Sequence, residues 1–118
     1  MKAKVLLVDN HPNIHDSLVQ NLRLEGYDVT VAANEQEALH ALRDTAFDLV
    51  LLDVVMAAVN SWDAFQHIIT IRFSLPIIII TGRTDQQWLA AQKGVVAVLE
   101  KPLDMPLLLD VMKRALAE

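Results

Sequence analysis

The sequence predicts an α/β fold, a (βα)5 three-layer sandwich with helices on both faces of a five-stranded parallel sheet, and three observations predict it. An apolar run, a turn and an amphipathic stretch follow one another five times along the chain. The runs Leu49–Leu52, Ile77–Ile80 and Val95–Leu99 are continuously apolar rather than alternating, which calls for burial on both faces of the sheet. With 118 residues, 53% hydrophobic content, 3 Gly and 4 Pro, the chain suits one well-packed domain, 1–118, and not a disordered tail.

The first strand is Val5–Val8, ended by Asp9-Asn10-His11-Pro12. In the helix that follows, Ile14, Leu18 and Leu22 recur every fourth residue on one face with Val19 beside them, and Gly26 stops it. Val29 and Val31 alternate with polar neighbours as a second strand. Asn34 and Glu37 have the spacing of an N-cap reciprocated from the third helical position, and Ala38, Leu39 and Leu42 form that helix's core stripe. After the third strand, Asn60 or Ser61 caps a helix that turns Phe65, Ile68 and Ile69 inward. Pro76 opens the fourth strand, where a missing amide donor does least harm. Thr84 with Gln87 forms another capping box, Trp88 and Leu89 pack, and Gly94 stops the fourth helix. Asp104 caps the last helix, with Pro106 tolerated in its first turn and Leu107, Leu108, Val111, Met112, Ala115 and Leu116 on its inner face.

Composition excludes several functions. Cysteine is absent, so disulfides, thiolate catalysis and cysteine-ligated zinc are ruled out, in keeping with a cytoplasmic location. Two lysines precede Val5–Val8, an apolar run too short for a signal-peptide core, and no stretch approaches the roughly 20 residues that span a bilayer. A net charge of −5 with dispersed Lys and Arg leaves no basic stripe, so no nucleic-acid or membrane partner is expected for this segment. His11 and His15 have a helical metal-pair spacing, but Pro12 puts His11 ahead of the helix and no Glu follows it as in a zinc protease.

The strand endings point to one chemistry. If the runs are parallel strands, Asp9-Asn10, Asp53, Thr81 and Lys101 all meet beyond the carboxyl edge of the sheet, where open α/β sheets place their sites. A carboxylate that accepts phosphate needs positive charge to offset three phosphoryl oxygens, and a divalent cation supplies most of it. Magnesium takes oxygen ligands, for which Asp9, Asn10, Asp53 and the backbone carbonyl of Val55 are suited. Lys101 can neutralise a phosphoryl oxygen as a mobile point charge, and the Thr81 hydroxyl can donate to another.

The set Val8-Asp9-Asn10-His11-Pro12, Leu51-Leu52-Asp53, Ile80-Thr81-Gly82 and Glu100-Lys101-Pro102, in this order and at these separations, resembles the receiver domain of bacterial two-component response regulators across essentially the whole chain. The resemblance implies a flavodoxin-like sheet in the order 2-1-3-4-5. It implies that Asp53 is the phosphoacceptor, that Asp9 and Asn10 occupy the metal-binding acidic pair, that Thr81 is the switch hydroxyl, and that Lys101, before a cis proline, senses phosphate. The implied partners are a sensor histidine kinase or phosphotransfer protein and a downstream protein or output domain. A homodimer through the fourth helix, fifth strand and fifth helix is implied as well. Such a module is not an enzyme, apart from slow self-dephosphorylation.

The sequence also departs from the pattern. Asn10 stands where an acid is usual, Ala57 where a proline follows Met56, Ser61 where glycine is common, and Val98 where an aromatic switch residue is usual. These departures motivate a rival reading, a receiver-like interaction domain that works without phosphorylation. A haloacid-dehalogenase-like phosphatase is disfavoured because Val55 occupies the place of its second acid, and a flavodoxin-like cofactor binder because Asp9-Asn10-His11-Pro12 would repel phosphate. Asn10 keeps an oxygen donor but removes a negative charge, so magnesium binding is expected to be weakened, not abolished. Replacing Asn10→Asp should move the magnesium midpoint to lower concentration in a fluorescence titration read by Trp62 or Trp88. An unchanged midpoint refutes the charge argument.

Overall fold

The computed structural model describes residues 2–8, 12–54, 75–82, 91 and 94–117. Within them, β1 (Lys4–Val8), β2 (Asp28–Ala32), β3 (Leu49–Val54), β4 (Ile77–Thr81) and β5 (Val95–Glu100) form one parallel sheet. Its order is β2-β1-β3-β4-β5, the order the resemblance implied. Helices α1 (Pro12–Leu24) and α2 (Glu35–Asp44) and a C-terminal helix (Met105–Ala117) are described around it. The expected helices after β3 and β4, with Phe65, Ile68, Ile69, Trp88 and Leu89, lie outside the described residues, as does the Ile14 side chain.

Strand alternation divides the core into two layers. Leu6, Val8, Val50, Leu52, Ile77 and Ile79 pack with Ala38 and Leu42 of α2 and with Phe47 on one face. Val5, Leu7, Leu49, Leu51, Ile78 and Ile80 pack on the other against Leu18, Val19 and Leu22 of α1 and Leu108 and Met112 of the C-terminal helix. Burial on both faces explains why the three central strands carry unbroken apolar runs. No helix of the described residues is long and apolar enough to cross a membrane.

Edge strand β5 differs from the sequence reading. Ile77 pairs with Val95 but Ile78 with Ala97, so Val96 is an extra residue on the β5 side of the ladder. It is 50% exposed, while Val95 and Val98 face the α2-side core and Ala97 and Leu99 the other. The C-terminal helix shows a second difference. Leu107, assigned to its inner face, is 48% exposed, and Met105 and Leu109 pack against the core instead. The stripe runs through Met105, Leu108, Leu109, Met112 and Leu116, with Val111 and Ala115 at its border.

The helix ends follow the local chemistry. The amide of Glu37 donates to Asn34 Oδ1 at 2.8 Å, as a cap requires, but the Glu37 carboxylate accepts from the Ala33 amide, one residue earlier than a capping box specifies. Each such cap is worth about 1 kcal/mol. Asp104 caps the C-terminal helix through the Leu107 amide at 3.2 Å. Helix α1 closes with the Tyr27 amide on the Leu22 carbonyl and the Gly26 amide on that of Arg23, and Gly26 holds φ +97, a conformation that costs any residue with a Cβ.

Tyr27, which this turn folds against the core, is the sole tyrosine of the chain. Burial, assisted by the Glu25 carboxylate, raises its phenol pKa above 10.0. A raised native pKa means that the stabilisation is complete below the unfolded-state value and is lost as pH rises through the native one. Phenolate absorbance should therefore give a native midpoint above 10.0 that falls with Glu25→Gln. A native midpoint no higher than that of the protein in denaturant contradicts this assignment.

Candidate functional site

Parallel register decides which strand ends meet. Val8 pairs with Leu52, Asp53 with Ile80, and Thr81 with Val54 and Glu100, so the ends of β1, β3, β4 and β5 lie within two rungs of one another. Asp53 and Thr81 are the buried polar residues among those described, at 6% and 0% exposure. A polar group on a central strand surrounded by Leu and Ile is costly unless it is compensated, so sequences that keep one there have a use for it.

Lys101 supplies part of the compensation. Its backbone amide donates to the Thr81 carbonyl at 2.8 Å, which extends the β4–β5 ladder one residue past β5. That bond fixes where the side chain starts, and its Nζ donates to Asp53 Oδ2 at 2.6 Å, across the end of the intervening strand. The two side chains are unequally buried, 3% exposed for Asp53 and 29% for Lys101. The carboxylate is therefore held in place while the ammonium keeps one side toward water, the asymmetry expected of a fixed acceptor and a movable counter-charge. The Lys101–Pro102 peptide bond is cis.

Of the residues singled out by sequence, the structure brings Asp53 and Lys101 into contact and ties Thr81 to Lys101 through the main chain. Asp9, Asn10 and Val55 lie outside the described residues, as do Ala57 and Ser61. Val98 packs, partly buried, against the α2-side core, two residue pairs before Glu100 and Thr81 in the ladder. The sequence reading brought the Lys101 amine close to Asp53, as observed, but gave it a phosphoryl oxygen to neutralise and not the carboxylate itself. The available signal was the pairing of opposite charges at the ends of strands two places apart.

A family model for the response regulator receiver domain matches residues 5–113. Among curated proteins, the chain is 33% identical over 118 residues to the transcriptional regulatory protein GlrR of Escherichia coli, covering 98% of this chain and 27% of that one. It is 32% identical to the DNA-binding transcriptional regulator NtrC of Rhizobium meliloti, covering 98% and 24%. The chain thus spans about a quarter of the length of these relatives. Among solved structures, the response regulator TrrA of Thermotoga maritima, in complex with Mg2+–BeF, superposes with a TM-score of 0.84 at 27% identity, covering 98% of this chain and 99% of that one. A response regulator of Chloroflexus aurantiacus described as putative gives 0.89 at 24% identity over the full length of both chains, a likeness of fold.

The unequal burial of the ion pair makes an asymmetric prediction. Removing a partner from a buried carboxylate strands its charge, whereas removing the carboxylate lets the part-exposed lysine turn to water. Lys101→Met should lower unfolding free energy in urea by about 2 kcal/mol, below the full cost of a completely buried pair because the lysine is part-solvated. Asp53→Asn should leave stability unchanged or raised. The reverse ranking contradicts the burial argument.

Proposed function

This chain belongs to the response regulator receiver domain family, and from that premise we propose that it accepts a phosphoryl group on Asp53 from a histidine kinase or phosphotransfer protein and thereby switches a partner-binding surface. The observation that carries this reading is the Lys101 ammonium 2.6 Å from a nearly buried carboxylate at the carboxyl edge of the sheet. A buried acid held in place by a part-exposed cation that can move to an incoming phosphoryl group is a nucleophile ready for use.

In the proposed step an Asp53 oxygen attacks the phosphorus of a phosphohistidine or small acyl phosphate in line with the leaving group. The new O–P bond forms as the P–N or P–O bond to the donor breaks, and the donor leaves with the bonding electron pair. Lys101 swings its ammonium from the carboxylate to a phosphoryl oxygen, following charge that has moved outward. The Thr81 hydroxyl donates to another. The described site presents carboxylate and hydroxyl oxygens without sulfur or imidazole, which fits a hard cation, and Asp9, Asn10, Asp53 and the Val55 carbonyl would hold Mg2+. When bound, Mg2+ offsets the charge that three phosphoryl oxygens bring to an acidic pocket. The Mg2+–BeF complex of the Thermotoga maritima relative supports this assignment.

The same premise gives the wider role. The chain acts in the cytoplasm as a phosphoacceptor and not as a turnover enzyme, with slow loss of phosphate to water. Its target is a downstream protein or an output domain, reached through β5, the C-terminal helix and the helix expected between β4 and β5, a surface that also serves a homodimer. Asn10 and Val98 favour the second reading, a receiver-like domain that binds its partner without phosphate.

Intact-mass measurement after incubation with Mg2+ and acetyl phosphate separates the two. A single phosphoryl adduct that disappears in Asp53→Asn is the expected result. No adduct, together with no beryllofluoride binding, overturns the phosphoacceptor role in favour of the second reading.

A further inference from the structure

The sheet has an edge at β2, which among the described strands pairs with β1 alone. The Asp28 amide donates to the Ala3 carbonyl at 2.9 Å, so Asp28, Thr30 and Ala32 direct their main-chain groups toward β1. Val29 and Val31 therefore direct theirs outward. The segment Val29-Thr30-Val31 is wholly β-branched and uncharged, which favours pairing with a further strand.

One side chain stands in the way. Arg23, in the last turn of α1, donates from Nη2 to the outward Val29 carbonyl at 3.1 Å. Its own carbonyl is held by the Gly26 amide at 3.0 Å in the turn that closes α1, so the arginine is aimed by the helix end that precedes β2. Bonding an edge carbonyl to a cationic side chain both satisfies that acceptor and sets charge where an incoming backbone would lie.

We propose that Arg23 is a guard that closes the β2 edge to a second copy of this chain. Without it, two copies add edge to edge as an isologous antiparallel pair, with Val29 and Val31 of each chain supplying the bridging donors and acceptors. Association of copies is thereby restricted to surfaces other than the sheet edge at β2.

The test uses Arg23→Met, which keeps the apolar stem and removes the donors, in the whole chain. Arg23 is exposed, so the fold should survive, and far-UV circular dichroism checks that it does. Sedimentation should show edge-paired dimer forming at a protein concentration at least tenfold lower than for wild type. Hydrogen exchange should show the Val31 amide slowed as dimer forms. Adding Thr30→Lys at the exposed position between the two valines should return the variant to wild-type behaviour, because a two-fold pair would bring the new lysines together. Sedimentation unchanged from wild type, or dimer formed with the Val31 amide still exchanging at the wild-type rate, overturns the proposal.

Discussion

The proposed phosphoryl transfer depends on the contact between the Lys101 ammonium and the Asp53 carboxylate, and the packed sheet is what holds that contact in register. The contact joins residues 48 positions apart and bridges β3 to the residue following β5, with β4 between them. A slip of one residue in either ladder would displace a side chain by about 3.3 Å along the strand and turn it to the other face of the sheet, enough to separate the pair. The unbroken apolar runs of β1, β3 and β4 prevent that slip, because both faces are buried and any displacement exposes one layer while crowding the other. Two dry cores are thus what holds one polar contact in register.

The sheet is not uniform, and its gradient suits the proposed switch. β3 and β4 are packed on both sides, so Asp53 and Thr81 sit on the rigid part. β5 is an edge strand with only partial burial and an extra residue at Val96, and Lys101 follows it directly. The buried acceptor therefore stands on a fully packed strand, and the part-exposed charge just past a loosely packed one. Lys101 also lies three residues before Asp104, the cap of the C-terminal helix, so the segment that leaves the site leads directly into a helix with an exposed leucine in its first turn.

Much of this was legible in the sequence because it rests on short-range rules. Continuous apolarity marked the doubly covered strands, Gly26 marked the close of α1, and Asn34 and Asp104 marked caps, each through chemistry confined to a few residues. What escaped depended on three-dimensional neighbours. Periodicity gave Leu107 to the core, yet Leu107 is exposed and Leu108 and Met112 are the fully buried residues of the helix, so the stripe is rotated from the one expected. Alternation cannot reveal the extra residue at Val96, since Val95–Leu99 is apolar at every position and any register reads alike. Glu37 reached past the expected amide to that of Ala33, a partner the spacing alone does not specify. Asp53 and Lys101 were each recognisable by type and place, but their direct contact is a property of the folded ladders.

The most direct measurement is side-chain lysine NMR on protein labelled with 15N and 13C. If the ladders bring the two groups together as described, the Lys101 ammonium exchanges slowly with water and shows coupling through the hydrogen bond to the Asp53 carboxyl carbon. A Lys101 signal as rapidly exchanging as those of the exposed Lys2 and Lys113, with no such coupling, contradicts the account at its root.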